Sequence, residues 1–133
     1  MMRIINFHPE HLILLKPQPS QKEAHAIMLQ CDLTTFLNNG FSRSAFLRGE
    51  CIACVGIQDL SGLGPMVWAV LSKYARKYML GITRRLVRFL DVYPSGEIYA
   101  TCNPLDKTQV RWLNMLGFKD PVAGRPGFFV RGK

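Results

Sequence analysis

Between Ala75 and Leu90 apolar side chains recur at three- and four-residue steps: Ala75, Tyr78, Met79, Ile82, Leu86, Phe89 and Leu90. That period belongs to an α-helix with one buried face, so the spacing predicts one helix over Ser72 to Leu90. The remaining face carries Lys73, Arg76, Lys77, Arg84, Arg85 and Arg88 with no acid inside the helix. Lys73, Lys77, Arg84 and Arg88 would line one solvent face of it. An amphipathic helix of this kind draws its stability from the layer that covers its stripe, so the chain must also supply a sheet.

The flanking sequence supplies one. Met2–Phe7 reads as a strand, and Pro9-Glu10 opens a short helix to Leu15. Pro17 and Pro19 disfavour helix at the residues before them. Ser20 and Glu23 have capping-box spacing, which predicts a second helix over Gln21–Gln30 with Ala24, Ile27 and Met28 inward. After a turn at Asn38-Asn39-Gly40, Ser44–Arg48, Cys51–Gln58 and Met66–Leu71 read as an antiparallel meander, its first turn at Gly49-Glu50. Beyond the basic helix, Glu97–Cys102 alternates as a strand. Asn103 and Pro104 are placed to start a last helix, and Gly117 to end it. Phe118 and Gly127–Val130 suggest a terminal hairpin. The order is β-αα-βββ-α-β-α-ββ: an α/β domain with a mixed, mainly antiparallel central sheet flanked by helices.

The 133 residues suit a single domain, 1–133, and 48% hydrophobic content excludes a disordered chain. Cys51–Leu71 is too interrupted by polar residues and glycine to span a membrane. No secretory pattern opens the chain, so a cytoplasmic location is expected. A balance of 17 Lys and Arg against 9 Asp and Glu gives a net charge of +8, which favours anionic partners. Tyr74 and Tyr78 lie among the cations, but Tyr78 belongs to the apolar stripe, so nucleic acid is not expected as a specific ligand. Cys51 and Cys54 form a C-x-x-C without further zinc ligands at suitable spacing. Residues three apart on a strand point to opposite faces, so these cysteines read as buried reduced thiols and no metal site is expected.

The run N-P-x-D-x-x-x-V-R-W-L-x-x-L-G-F from Asn103 to Phe118, with this element order, resembles the GNAT superfamily of acetyl-CoA-dependent N-acyltransferases. The opening I-x-x-F-x-P-E-H-L and the Trp68-to-Phe118 half resemble the small GNAT-like proteins of T7-like podophages, the internal virion protein A family. The superfamily resemblance implies acetyl-CoA as cofactor, its pantetheine arm inserted between Met66–Leu71 and Glu97–Cys102. The arm would pair with the backbone of Met66, Val67, Trp68, Ala69 and Val70. Arg76, Lys77 and Arg84 would meet the phosphates, and Asn103 would lie near the thioester.

Two signatures of that family are eroded. Its pyrophosphate loop, Q/R-x-x-G-x-G/A, finds its best match at Tyr78-Met79-Leu80-Gly81-Ile82-Thr83, which keeps Gly81 but falls inside the helix read from Ser72; the alternative reading makes Ser72–Leu80 a loop or a separate short turn. The tyrosine that serves many members as general acid stands four residues before the Gly of Gly-Phe, and here that position is Leu113, which has no proton to donate. Asp59 and Glu50 read as turn residues, and His8 and His11 lie in the first helix, so no catalytic residue is assigned. The phage resemblance implies an accessory or virion-assembly protein of the host cytoplasm or virion, with a degenerate acetyl-CoA site. The alternatives are an active N-acetyltransferase and a basic module that binds an acidic host protein.

Overall fold

The computed structural model describes residues 2–33, 41–58, 64–94, 96–103, 105–121 and 127–132. The readings at Asn38-Asn39-Gly40, Asp59 and Pro104 lie outside the described residues. The elements follow the expected order. They are β1 (Met2–Asn6), α1 (Pro9–Leu14), α2 (Lys22–Leu29), β2 (Ser42–Leu47), β3 (Glu50–Gln58), β4 (Met66–Leu71) and α3 (Met79–Asp91). After them come β5 (Glu97–Thr101), α4 (Lys107–Met115), β6 (Asp120–Pro121) and β7 (Phe128–Gly132). The class is mixed α/β with a mainly antiparallel sheet. The chain divides into two units, Met1–Gln58 with Trp68–Met79, and Asp59–Val67 with Leu80–Lys133.

In the first unit the strand order is β1-β2-β3-β4. The β2–β3 turn is two residues long, Arg48 and Gly49, both at positive φ (52° and 81°). This conformation follows the right-handed twist of a hairpin, so Glu50 is already the first residue of β3. Phe7, Leu12, Leu15, Cys51, Cys54 and Val70 form a buried cluster, with Met28, Leu33, Phe46 and Trp68 packed against it. Gly56 is fixed by that packing: a Cβ there would lie 2.5 Å from Trp68 Nε1. The Trp68 indole also meets Phe7 edge-on, ring centroids 5.4 Å apart.

Helix α2 departs from the reading. Ser20 belongs to a single 3-10 turn, Pro19–Gln21, and the helix has no side-chain cap. The inward positions are His25 and Met28; Ala24 and Ile27 are exposed. His25 is buried because its Nε2–H donates to Leu12 O at 2.7 Å, a satisfied polar group that apolar periodicity cannot register.

In the second unit β5 pairs with β7 at five antiparallel positions, and β7 pairs with β6. Ile82, Leu86 and Leu90 of α3 are buried, as are Leu113 and Leu116. Thr83 is buried too, and its hydroxyl accepts from Trp112 Nε1 at 2.9 Å. Gly117, at φ +100°, ends α4 as expected, with Phe118 N donating to Leu113 O. Arg131 secures that end: its Nε donates to Leu116 O at 2.8 Å, and its guanidinium pairs with Asp91.

Candidate functional site

The helix predicted from Ser72 is two pieces. Ser72 forms a bridge, Lys73 and Tyr74 form a turn, Ala75–Tyr78 is a 3-10 turn, and the α-helix begins at Met79. A three-residue step suits either helix type, so Ala75, though buried, could not reveal the boundary. Gly81 is therefore in the first turn of α3, not at its middle. The phosphate-loop pattern then fits best in the frame Arg76-Lys77-Tyr78-Met79-Leu80-Gly81, with arginine first, glycine last and Met79 in place of the other glycine. The boundary also breaks the expected basic row. Arg84 and Arg88 share a face of α3, while Lys73 and Lys77 lie outside the α-helix. All six cations of this segment are exposed.

Strand β4 has two unlike edges. Successive residues of a strand turn their backbone groups to alternate sides. Ser72 N donates to Ile52 O on β3 at 2.8 Å, so in the first unit the even-numbered residues, Trp68 and Val70, address β3. The odd-numbered residues face the other edge, where the resemblance would seat a pantetheine arm. In the first unit that edge is engaged by the chain itself. Gln21 Nε2 donates to Ala69 O at 2.9 Å, and Gln21 Oε1 accepts from Leu71 N at 2.8 Å. Gln18 N donates to Leu71 O at 2.9 Å, and Lys73 N donates to Lys16 O at 2.8 Å. Pro17 forms an antiparallel bridge with Ser72. The prolines that exclude helix from Lys16–Gln18 leave it extended, and the Pro19–Gln21 turn brings the Gln21 amide onto the strand. Nothing in the sequence pattern singles out Gln21; its signal is geometric.

In the second unit the start of β4 and β5 make, among the described residues, one parallel pair, Met66↔Tyr99, with Tyr99 N donating to Pro65 O at 2.8 Å. Leu113 is 7% exposed and wholly aliphatic, so the position of the family's acid is part of the core. Asn103 is not the cap of α4. Its Oδ1 accepts from Leu105 N at 3.0 Å, and Asp106 caps the helix by accepting from the backbone N–H groups of Thr108 and Gln109. The sequence reading set the start of this helix too early because both residues are good caps. Burial and the Asp106 carboxylate push the Cys102 thiol above its usual pKa, so it is a poor nucleophile.

The C-x-x-C also needs correction. Register runs Ala45↔Ala53 and then Phe46↔Cys51, so Ile52 is an extra residue on β3. This bulge cancels the alternation, and the Cys51 and Cys54 sulfurs lie 3.6 Å apart on the same side.

No protein-family model matches the chain, and a comparison with curated proteins found no match. Solved structures are similar to the chain. A GNAT-family acetyltransferase from Staphylococcus aureus Mu50 has 15% identity over 99% of this chain and 99% of its own, with a TM-score of 0.69. The phosphinothricin acetyltransferase of Sinorhizobium meliloti, solved in complex with AcCoA, has 16% identity over 98% of this chain and 88% of its own, with a TM-score of 0.64. A GNAT-family acetyltransferase from Bacillus cereus ATCC 10987 has 10% identity over 100% and 98%, with a TM-score of 0.63. At these identities the likeness establishes the fold, and the fold is that of the GNAT acetyltransferases.

Proposed function

We propose that this chain is a GNAT-fold protein that has given up acetyl transfer and serves as a phage accessory or virion-assembly factor. The observation that carries the first part is the closed edge of β4. Ala69 O, Leu71 N, Leu71 O and Lys73 N are hydrogen-bonded to Lys16, Gln18 and Gln21. A cofactor arm would have to displace these bonds and leave the Gln21 amide, Gln18 N and Lys16 O to find other partners. That occupied edge supports loss of the acetyl-CoA site. The aliphatic Leu113 agrees with this reading, since the residue at that position has no proton to give a departing thiolate.

The phage setting rests on the I-x-x-F-x-P-E-H-L opening and the Trp68-to-Phe118 half. In this role the exposed Arg84, Arg85 and Arg88 of α3 provide a surface for an acidic phage or host protein. One specific observation favours the rival reading, an active N-acetyltransferase: α3 starts at Met79, where the Arg76–Gly81 frame needs it.

Thermal unfolding with acetyl-CoA separates the two, because a ligand that binds only the native state raises the melting temperature. The proposal expects a shift below about 0.5 °C at about 1 mM acetyl-CoA, whereas a shift of several degrees with acetylated amine product would establish the enzyme. Deleting the gene from the phage should lower the yield of infectious particles, and normal yields would refute the accessory role.

A further inference from the structure

The bulge in β3 assembles a connected set of side chains in the first unit. Ser44 and Cys54 are directly opposite in the β2–β3 register, with Ser44 Oγ 3.7 Å from Cys54 Sγ. On its other side Ser44 Oγ lies 2.7 Å from His11 Nδ1. That nitrogen also accepts the backbone N–H of His8 at 3.1 Å, so it carries no proton. The Ser44 hydroxyl therefore donates to His11, and its lone pairs face Cys54 Sγ. The Cys51 sulfur, 3.6 Å from Cys54 Sγ, completes the line. Among the four cysteines only these two meet, and Cys31 is exposed elsewhere.

We propose that Cys51 and Cys54 are an oxidisable pair that closes to a disulfide under hydroperoxide. Two sulfurs already in contact need only approach from 3.6 Å to the bonded distance of about 2.05 Å. Cys51 is the residue an oxidant meets: it is 6% exposed, Cys54 is 0% exposed, and the exposed Arg48-Gly49 turn is close by in the chain. The Cys51 thiolate attacks the terminal peroxide oxygen, the O–O bond breaks, and the sulfur becomes a sulfenic acid as alkoxide, RO⁻, leaves and takes up the proton Cys51 released, giving ROH. Cys54 sulfur then attacks Cys51 sulfur and expels the sulfenic oxygen as hydroxide, which becomes water by taking a proton from solvent while His11 returns the Cys54 proton to solvent. The Cys54 proton passes to Ser44 Oγ as the Ser44 proton passes to His11 Nδ1. Two thiols and one hydroperoxide, ROOH, give one disulfide, water and ROH. The sulfurs lose two electrons, and the peroxide gains them. A hydrogen bond from Cys54 holds the Cys51 thiol below its usual range against burial, while that contact and burial push Cys54 up. This order suits Cys51 as the attacking and Cys54 as the resolving sulfur.

The test uses the full chain as the Cys31→Ser/Cys102→Ser variant, which retains only the pair. Hydrogen peroxide at about tenfold excess should lower the intact mass by about 2 Da, and dithiothreitol should restore it. With Cys54→Ser added, Cys51 should instead gain about 16 Da. An unchanged mass in the two-cysteine protein, or stable gains of about 16 or 32 Da on one sulfur, would overturn the proposal. Ser44→Ala should close at least about tenfold more slowly at an unchanged dithiothreitol equilibrium, because it removes the proton path and leaves the bond. Closure at the parent's rate would overturn the path through Ser44.

Discussion

Strand β4 and the helix that follows it meet opposite fates in the same stretch of chain. The helix opens at Met79, between Arg76 and Gly81. The strand edge is closed, its backbone groups bonded to Lys16, Gln18 and Gln21. A helix boundary depends on local backbone preference and the covering of one face. A free strand edge depends on what the rest of the chain does, and here a proline-punctuated connection satisfies it. The helix boundary and the strand edge are thus set by different parts of the chain.

The sharpest way to break this comparison is to disturb β4 from the β3 side. Gly56→Val would force a side chain into the Trp68 indole and shift the strand, at a cost of about 3 kcal/mol or more in denaturant unfolding. A near-neutral result would mean that β4 is not held as described. Gln21→Ala comes next. It leaves Ala69 O and Leu71 N unpaired and should cost about 2 kcal/mol, while an exposed neighbour such as Lys22→Ala should cost less than about 0.5 kcal/mol. Equal costs for the two would remove Gln21 from the account. In the second unit Thr83→Val deletes the acceptor of Trp112 Nε1 and should cost about 1 kcal/mol, readable in the same unfolding curves.

The smallest effect is a dependence on pH. Burial, then the nearby His8, hold His11 below its ordinary pKa of 6.5, with Glu10 opposing. The fold thus favours neutral His11, whose Nδ1 accepts from His8 N–H and Ser44. Below pH 6.5 the unfolded chain takes up a proton that the folded chain refuses, so stability should fall with pH until the folded value is passed. His11→Gln should flatten that part of a melting-temperature profile, and an unchanged slope would assign it to other groups.

Most of the fold was legible because its signals are local and repetitive. Short apolar runs between turn signals marked most strands and alternation marked Glu97–Cys102, the stripe from Ile82 to Leu90 marked α3, and Gly117 marked the end of α4. The errors arose where one signal had two physical readings. Three-residue spacing suits both a 3-10 turn and an α-helix, which hid the start at Met79. Asn103 and Asp106 can each cap a helix. His25 is inward because its ring finds Leu12 O, against the usual sense of apolar patterning. The site was less legible still. Leu113 could be read from motif spacing, but Gln21 reaches β4 across a separation of 48–50 residues, and one extra residue in β3 brings two cysteines together. Neither event leaves a period in the sequence.

The central claim is that the edge of β4 is closed by the protein itself. Amide hydrogen exchange at Leu71 and Lys73, read by NMR with and without acetyl-CoA at about 1 mM, tests it most directly. The account predicts slow exchange at both amides in the free protein, unchanged by acetyl-CoA. Fast exchange in the free protein that becomes slow when acetyl-CoA is added would show an open edge that the cofactor fills, and would contradict it.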